Sequence, residues 1–167
     1  MAKICCFIGH RKLNTTQDFI NKLYAVIEDL IINKYVDTFL FGSKSEFNNI
    51  CYEAVSKFKE TYPYIQRIYV RAEYPYISED YKAYLLERYE DTYYPQNLLN
   101  SGRAVYVKRN QEMIDKSDIC VIYYDEKYQP THKSKVGKAL ISNHSTSGTK
   151  IAHNYALKKK KIIINLL

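Results

Sequence analysis

The stretch Cys5–Leu13, CCFIGHRKL, contains an apolar run that stops at a glycine, and two potentially cationic side chains follow it. The run starts earlier, at residues 3–8 (KICCFI), and is almost continuously apolar, as in a parallel strand that is covered on both faces. In an open parallel sheet, ligands bind beyond the carboxyl ends of the strands. We therefore predict a buried strand followed by a ligand-binding loop, Gly9-His10-Arg11.

Strands and helices alternate along the rest of the chain. Further apolar runs predict strands at residues 36–41, 65–70, 118–124 and 161–166. Apolar residues at three- and four-residue spacing predict helices that begin after Thr15 or Thr16, after Ser43 or Ser45, at residue 105 and at Ser147. This order predicts an α/β fold: a Rossmann-like, doubly wound, mainly parallel five-stranded sheet with right-handed crossovers.

Residues 71–104 interrupt this alternation between the third and fourth predicted strands. The segment carries Pro75, Pro95 and a helix-like piece at residues 78–88. Structureless connections of this length are uncommon, so we predict an insertion that caps one end of the sheet in a single domain, 1–167. Its tyrosines predict a homo-oligomer interface, with one or two rings reaching the site. They are Tyr74, Tyr76, Tyr81, Tyr84, Tyr89, Tyr93 and Tyr94.

Length and charge limit the possible partners. The chain has 167 residues, the size of one domain, and a net charge of +7. This charge favours an anionic partner, either a phosphorylated small molecule or nucleic acid. The apolar run at residues 3–8 is too short for the core of a signal peptide or for a membrane span, so we expect a cytoplasmic protein without membrane contact.

The cysteines and histidines do not form a metal motif. Cys5, Cys6, Cys51 and Cys120 match neither metal-ligand spacing nor a disulfide scaffold, and we predict that they are reduced core residues. His153 has no metal-ligand spacing, and neither have His132 and His144 in the polar connection at residues 125–146. We predict no metal and no cofactor.

Two further glycine turns accompany the first. Gly42, Ser43 and Lys44 follow the second strand, and Ser147, Gly148 and Thr149 open the last helix. A glycine allows the backbone to approach an anion closely, and the helix that follows offers free N–H groups and a positive dipole end. Together the three turns predict a phosphate site, although neither a G-x-G-x-x-G fingerprint nor a P-loop occurs.

Four segments carry a resemblance to a known family. These are FIGHRKL, FLFGSKSEF, VYVKRNQEMIDKSDICVIYY and SGTKIAHNYALKKKKIIINL. In order and spacing they resemble the SLOG superfamily, named after the DNA-processing protein DprA and the LOG phosphoribohydrolases, and specifically its YpsA-like branch. The resemblance implies a Rossmann-like fold that binds nucleotide-derived ligands and commonly forms homo-oligomers.

The resemblance also implies roles for single residues. Arg109 falls on the arginine of the LOG arginine-lysine pair, Asn110 on its lysine, and Gly148 and Thr149 on the final Gly-Thr of the LOG phosphate motif. Ala152 stands where LOG enzymes have the catalytic glutamate. Because alanine cannot stabilise an oxocarbenium-like state or activate water, the resemblance implies ligand binding without LOG-type turnover.

We therefore predict binding of a phosphorylated nucleotide-derived small molecule, ADP-ribose- or NAD-like or a nucleoside phosphate, which is sensed or sequestered. One alternative is a nucleotide N-glycosidase with another carboxylate, for which Glu46, Glu112 and Asp125 are candidates. A second is DprA-like nucleic-acid binding. Some site residues also have structural alternatives: an ion pair for Arg11, helix capping for Ser43 and Lys44, and an ion pair with Asp115 or Asp118 for Arg109.

Overall fold

The computed structural model describes residues 2–128 and 147–167. Most of the predicted polar connection, with His132 and His144, lies outside the described residues. The strands are β1 (Lys3–Gly9), β2 (Val36–Phe41), β3 (Gln66–Val70), β4 (Asp91–Tyr93), β5 (Ile119–Tyr123) and β6 (Ile162–Asn165). The helices are α1 (Gln17–Ile32), α2 (Glu46–Thr61), α3 (Glu79–Arg88), α4 (Val105–Lys116) and α5 (Gly148–Lys158).

The strands form one sheet in the order β4-β3-β2-β1-β5-β6, and every neighbouring pair is parallel. β1 lies between β2 and β5, with Cys6 opposite both Leu40 and Cys120. The order runs outward from β1 in both directions, as in a doubly wound fold. The predicted fold class is therefore confirmed.

The sheet is covered on both faces, which explains the continuous apolar runs. Cys5 and Phe7 of β1 pack with residues of α1 and α2, whereas Cys6 and Ile8 pack with residues of α4 and α5. Successive residues of a strand point to opposite faces, so every residue of a doubly covered strand meets a core. All four cysteines are buried and unpaired, as predicted.

Hydroxyl caps fix where the helices begin. The side chain of Thr16 accepts a hydrogen bond from the Phe19 backbone N–H at the start of α1, and that of Ser45 accepts one from Asn48 at the start of α2. Each cap satisfies an N–H group that has no partner within the helix. The cap of α2 is therefore Ser45 rather than Ser43 or Lys44, and the Ser43 hydroxyl supports it by donating to Ser45 Oγ at 2.8 Å.

Within the described ranges the sheet has six strands, one more than predicted, because the segment 71–104 contributes β4. This strand pairs with β3, and Glu90 just before it accepts hydrogen bonds from Arg67 Nη2 at 2.8 Å and from the Arg67 backbone N–H at 2.7 Å. Lys59 adds an ion pair with Glu90 at 3.2 Å. With three residues at a sheet edge, β4 is too short for the alternation that identifies a strand.

Among residues 2–128 and 147–167, no helix is long and apolar enough to cross a membrane.

Candidate functional site

A cleft of about 500 Å³ lies at the carboxyl ends of β1, β2 and β3. Its size is in the range of small-molecule sites. The predicted ligand-binding residues all line it, although they come from four separate parts of the chain. They are Gly9, His10, Arg11, Gly42, Ser43, Lys44, Arg109, Ser147, Gly148 and Thr149.

Arg109 is a buried cation, and no carboxylate of the described residues pairs with it. The residue is 5% exposed, and no described carboxylate lies within ion-pair distance of it. Its guanidinium donates to the Gly42 carbonyl and to Asn110 Oδ1, and lies 5.7 Å from the centre of the Tyr106 ring. Burial lowers the pKa of Arg109, because the charged form is poorly solvated.

The ion pair with Asp115 or Asp118, the structural alternative for Arg109, is not observed. The carboxylate of Asp115 accepts from the Tyr155 hydroxyl at 2.9 Å and lies 3.9 Å from Lys159 Nζ, and that of Asp118 accepts from the Ile4 backbone N–H at 2.9 Å. Both acids are therefore engaged elsewhere. A buried charge that has neutral hydrogen-bond acceptors but no described counter-charge is costly, so the fold maintains this arginine at an energetic disadvantage.

Three more cations line the cleft, from the ends of three neighbouring strands: Arg11, Lys44 and Arg71. None of them forms an ion pair with a described carboxylate. The ion pair considered for Arg11 is thus not observed among these residues. The cleft lining has one described carboxylate, that of Glu73, which accepts from the Tyr106 hydroxyl at 3.4 Å. The cleft is therefore strongly cationic.

His10 is buried and held in one tautomer. Its Nε2 accepts a hydrogen bond from the Asp125 backbone N–H at 2.9 Å, and its ring stacks on Tyr128 with centroids 3.9 Å apart. Burial lowers the pKa of His10, and nearby Asp125 opposes this shift only partly. The imidazole is thus neutral near pH 7 with its proton on Nδ1, from which no described residue accepts a hydrogen bond.

The three glycines differ in what surrounds them. A Cβ atom on Gly9 would lie 2.3 Å from Phe47 Cδ1, and one on Gly42 would lie 2.6 Å from both Arg109 Cδ and Met113 Sδ. At these two glycines, the absence of a Cβ atom lets other side chains of the protein pack against the backbone. A Cβ atom on Gly148 would meet nothing within 4 Å, so only this glycine faces open space.

The first turn of α5 keeps donors available. Ser147 caps the helix by accepting from the Lys150 backbone N–H at 3.1 Å. Gly148 and Thr149 come before Lys150 in the helix, and their backbone N–H groups have no acceptor among the described residues. Thr149 is buried and lines the cleft, so these donors lie at the positive end of the α5 dipole beside the cations.

The sequence patterns did not indicate Arg71, Glu73 or several aromatic residues of the cleft. Arg71 directly follows β3, as Arg11 and Lys44 come soon after β1 and β2. Because ligands bind beyond the carboxyl ends of parallel strands, its position could have indicated it as a site residue. The missed tyrosines are Tyr69, Tyr106 and Tyr128.

The tyrosines of the segment 71–104 have different environments. Tyr74 and Tyr81 line the cleft, Tyr89 is buried in the core with α1 and α2, and Tyr76 and Tyr84 are 91% and 52% exposed. Two rings therefore do lie at the cleft. The oligomer interface stays a prediction for the exposed ones.

None of the carboxylates considered for glycosidase chemistry lines the cleft. Glu46 accepts from the Thr15 hydroxyl at 3.4 Å, Glu112 pairs with Lys116 at 3.2 Å, and Asp125 accepts from the Lys127 backbone N–H at 2.9 Å. Ala152 lies on α5 and is buried in the core with residues of α4 and the sheet. Within the described ranges, no group of three or more His, Cys, Asp or Glu side chains could hold a metal ion.

Comparison with known proteins supports the fold. The chain is similar to the molybdenum cofactor carrier protein MCP from Chlamydomonas reinhardtii, with a TM-score of 0.53 and 13% sequence identity over 98% of this chain and 75% of that chain. No family model and no curated protein matches the sequence. At this identity the likeness shows the Rossmann-like α/β fold alone, and membership of the SLOG superfamily stays a prediction.

Proposed function

We propose that the cleft binds a phosphorylated nucleotide-derived small molecule, ADP-ribose- or NAD-like or a nucleoside phosphate, and that the protein senses or sequesters this ligand. The observation that carries the proposal is Arg109, a buried guanidinium that lines a cationic cleft and has no described carboxylate partner. A bound phosphate would supply the missing counter-charge, and a planar guanidinium suits phosphate oxygens.

The first turn of α5 supports a phosphate ligand independently of Arg109. Gly148 and Thr149 offer backbone N–H donors there, and Arg11 adds a permanent charge from the end of β1. Open space around Gly148 would let an anion approach the backbone. Helix N-termini with free N–H groups are common phosphate sites.

Aromatic side chains support a ligand that also carries a planar ring. Tyr74 and Tyr106 line the cleft and are 60% and 49% exposed, so their rings are available for stacking. Neutral His10 adds an Nδ1–H donor that suits a phosphate or ribose oxygen. A phosphate joined to a ribose and a base combines these features in one molecule.

The likeness to a carrier protein agrees with binding rather than turnover. The similar structure is that of a molybdenum cofactor carrier protein. We infer that this chain likewise holds a small molecule, as a member of the YpsA-like branch of the SLOG superfamily. The molybdenum cofactor accordingly belongs in the set of compounds to be tested.

The test is retention of a ligand by the purified protein. The protein is incubated with nucleoside monophosphates, NAD, ADP-ribose, its cyclic variants and molybdenum cofactor, washed by filtration, and analysed by mass spectrometry for retained and released compounds. We expect one intact compound to be retained by the wild type and lost in Arg109→Met. Failure to retain any of them would refute the proposal.

A nucleotide N-glycosidase is the second candidate, and the position of Glu73 favours it. This residue is the one described carboxylate of the cleft lining. A carboxylate beside a ribose can stabilise an oxocarbenium-like state. Release of free base by the wild type and its loss in Glu73→Gln would support this function, whereas long incubation without free base would exclude it.

A further inference from the structure

The carboxylate of Glu73 lies in a cationic cleft without pairing with any of its cations. Four cationic side chains line the cleft together with Glu73, and none of them is within ion-pair distance of it. Arg71, two residues before Glu73, instead donates to the Tyr74 carbonyl at 3.3 Å. Neutralising a neighbouring guanidinium is therefore not what Glu73 does in the cleft.

Most of the hydrogen-bonding capacity of Glu73 is unused. A carboxylate has two oxygens with about four acceptor sites. The Oε1 atom of Glu73 accepts one long hydrogen bond, from the Tyr106 hydroxyl at 3.4 Å, and no other described group donates to the carboxylate. Because a carboxylate repels a phosphate, these oxygens are available to the part of a ligand that carries no phosphate.

Tyr106 presents a ring surface between this carboxylate and the buried arginine. Its hydroxyl donates to Glu73, and its ring centre lies 5.7 Å from the Arg109 guanidinium. The ring lines the cleft and is 49% exposed, so one face is open to a ligand. A planar ligand ring stacked on Tyr106 would have one edge at Glu73 and its phosphate toward Arg109.

The carboxylate restricts which ring edge fits beside it. A carboxylate only accepts hydrogen bonds, and it binds most strongly where two neighbouring N–H donors meet its two oxygens. The hydrogen-bonding edges of adenine and cytosine place a ring nitrogen acceptor beside the amino group, so one carboxylate oxygen would face a lone pair. Guanine has the required pair of donors, the ring N1–H and the 2-amino group, and pterins have the same 2-amino-4-oxopyrimidine edge.

We propose that Glu73 determines the specificity of the cleft by accepting two hydrogen bonds from a 2-amino-4-oxopyrimidine edge, so that the ligand is a guanine nucleotide or a pterin phosphate. This inference rests on the proposed function and specifies the ring of its ligand. Glu73 is then a binding residue for the ring, while the cations of the cleft and the first turn of α5 hold the phosphate.

Calorimetric titration of the intact protein with four monophosphates tests the proposal. The probes are GMP, IMP, AMP and dihydroneopterin monophosphate. IMP differs from GMP only by the missing 2-amino group, and the pterin phosphate distinguishes the two sources of the same edge. The variants are Glu73→Gln and, as the matched control, Glu87→Gln, which removes the same charge from an exposed glutamate outside the cleft lining. Thermal unfolding establishes that each variant is folded.

We expect the wild type to bind GMP or the pterin phosphate at least about tenfold more tightly than IMP and AMP, because IMP loses one hydrogen bond to a charged group and AMP loses both. In Glu73→Gln this preference should fall to within about threefold, with AMP bound at least as tightly as by the wild type. Glu87→Gln should retain the preference. The comparison of GMP with IMP in the wild type needs no variant.

Three results would overturn the role of Glu73 and leave the proposed function intact. The first is wild-type affinity for IMP or AMP equal to or above that for GMP and the pterin phosphate. The second is a preference that Glu73→Gln retains. The third is equal weakening of all four probes in Glu73→Gln, as expected if Glu73 only positions Tyr106. Binding of none of the four probes would refute the proposed function as well.

Discussion

Substituting alanine for Gly148 separates ligand binding from folding. Gly148 is the first residue of α5, and an added Cβ atom would meet no protein atom within 4 Å. Its φ is not in the left-handed region. Alanine is favoured over glycine in helices by roughly 0.5–1 kcal/mol, so the free energy of unfolding should be unchanged or slightly higher in Gly148→Ala.

Ligand binding, unlike stability, should be weakened by Gly148→Ala. The added methyl group would occupy space through which an anion reaches the N–H groups of Gly148 and Thr149. A hydrogen bond to a charged group contributes about 1.5–3 kcal/mol, so losing one should weaken binding by roughly 10- to 150-fold. Gly9→Ala provides the contrast: its Cβ atom would lie 2.3 Å from the fully buried Phe47 ring, and overpacking costs about 1–3 kcal/mol.

Chemical denaturation measures the free energy of unfolding, and calorimetric titration with ADP-ribose measures the ligand affinity of the same preparations. We expect Gly148→Ala to be as stable as the wild type and to bind weakly, and Gly9→Ala to be destabilised. Unchanged ADP-ribose affinity in a folded Gly148→Ala protein would refute the reasoning, because the first turn of α5 would then not contact the ligand.

Three other substitutions test separate features. Arg109→Met should leave the free energy of unfolding unchanged or raise it, because it removes a buried charge that has no described counter-charge, whereas breaking a structural buried ion pair would lower that free energy by about 3–5 kcal/mol; chemical denaturation distinguishes the two outcomes. Glu73→Gln should strengthen ADP-ribose binding measured by calorimetry, because it removes an anion from the cleft. Burial raises the pKa of Glu90, but hydrogen bonds from Arg67 and Lys59 outweigh this and hold the pKa at about 2. In the unfolded chain the pKa of Glu90 is near 4.5, so at any pH above 4.5 the depressed pKa adds up to about 3 kcal/mol to the free energy of unfolding. This contribution is lost as the pH falls from 4.5 toward 2. Glu90→Gln should therefore be less stable at pH 7 and should lack this loss in acid denaturation curves.

Most of the sheet could be predicted because its strands are covered on both faces. β2 appears in the sequence as VDTFLF with the same bounds as in the structure, since a glycine ends the apolar run. The carboxyl ends of parallel strands meet at one edge of a sheet, so the predicted site residues could be expected to converge although they are distant in sequence. The cleft brings together Gly9, Gly42 and Gly148, as this rule implies.

The parts that were missed depend on contacts between distant residues. The strand β4 is held beside β3 by Arg67 and Glu90, a pairing that no local pattern reveals. The roles of Gly9 and Gly42 could not be separated from that of Gly148, because only packing shows that Phe47 occupies the space beside Gly9. The absence of a described carboxylate partner for Arg109 likewise appears only once the neighbouring acids are placed.

The most direct test of the anion-binding cleft is a parallel calorimetric titration of ADP-ribose into the wild type, Arg109→Met and, as a control, Arg103→Gln, which removes the same charge from an exposed arginine outside the cleft lining. Saturable binding is expected in the wild type and in Arg103→Gln, and a loss of about 30-fold or more is expected in a folded Arg109→Met protein. Equal ADP-ribose affinity in all three proteins would contradict the assignment of Arg109 as the buried cation that holds the ligand.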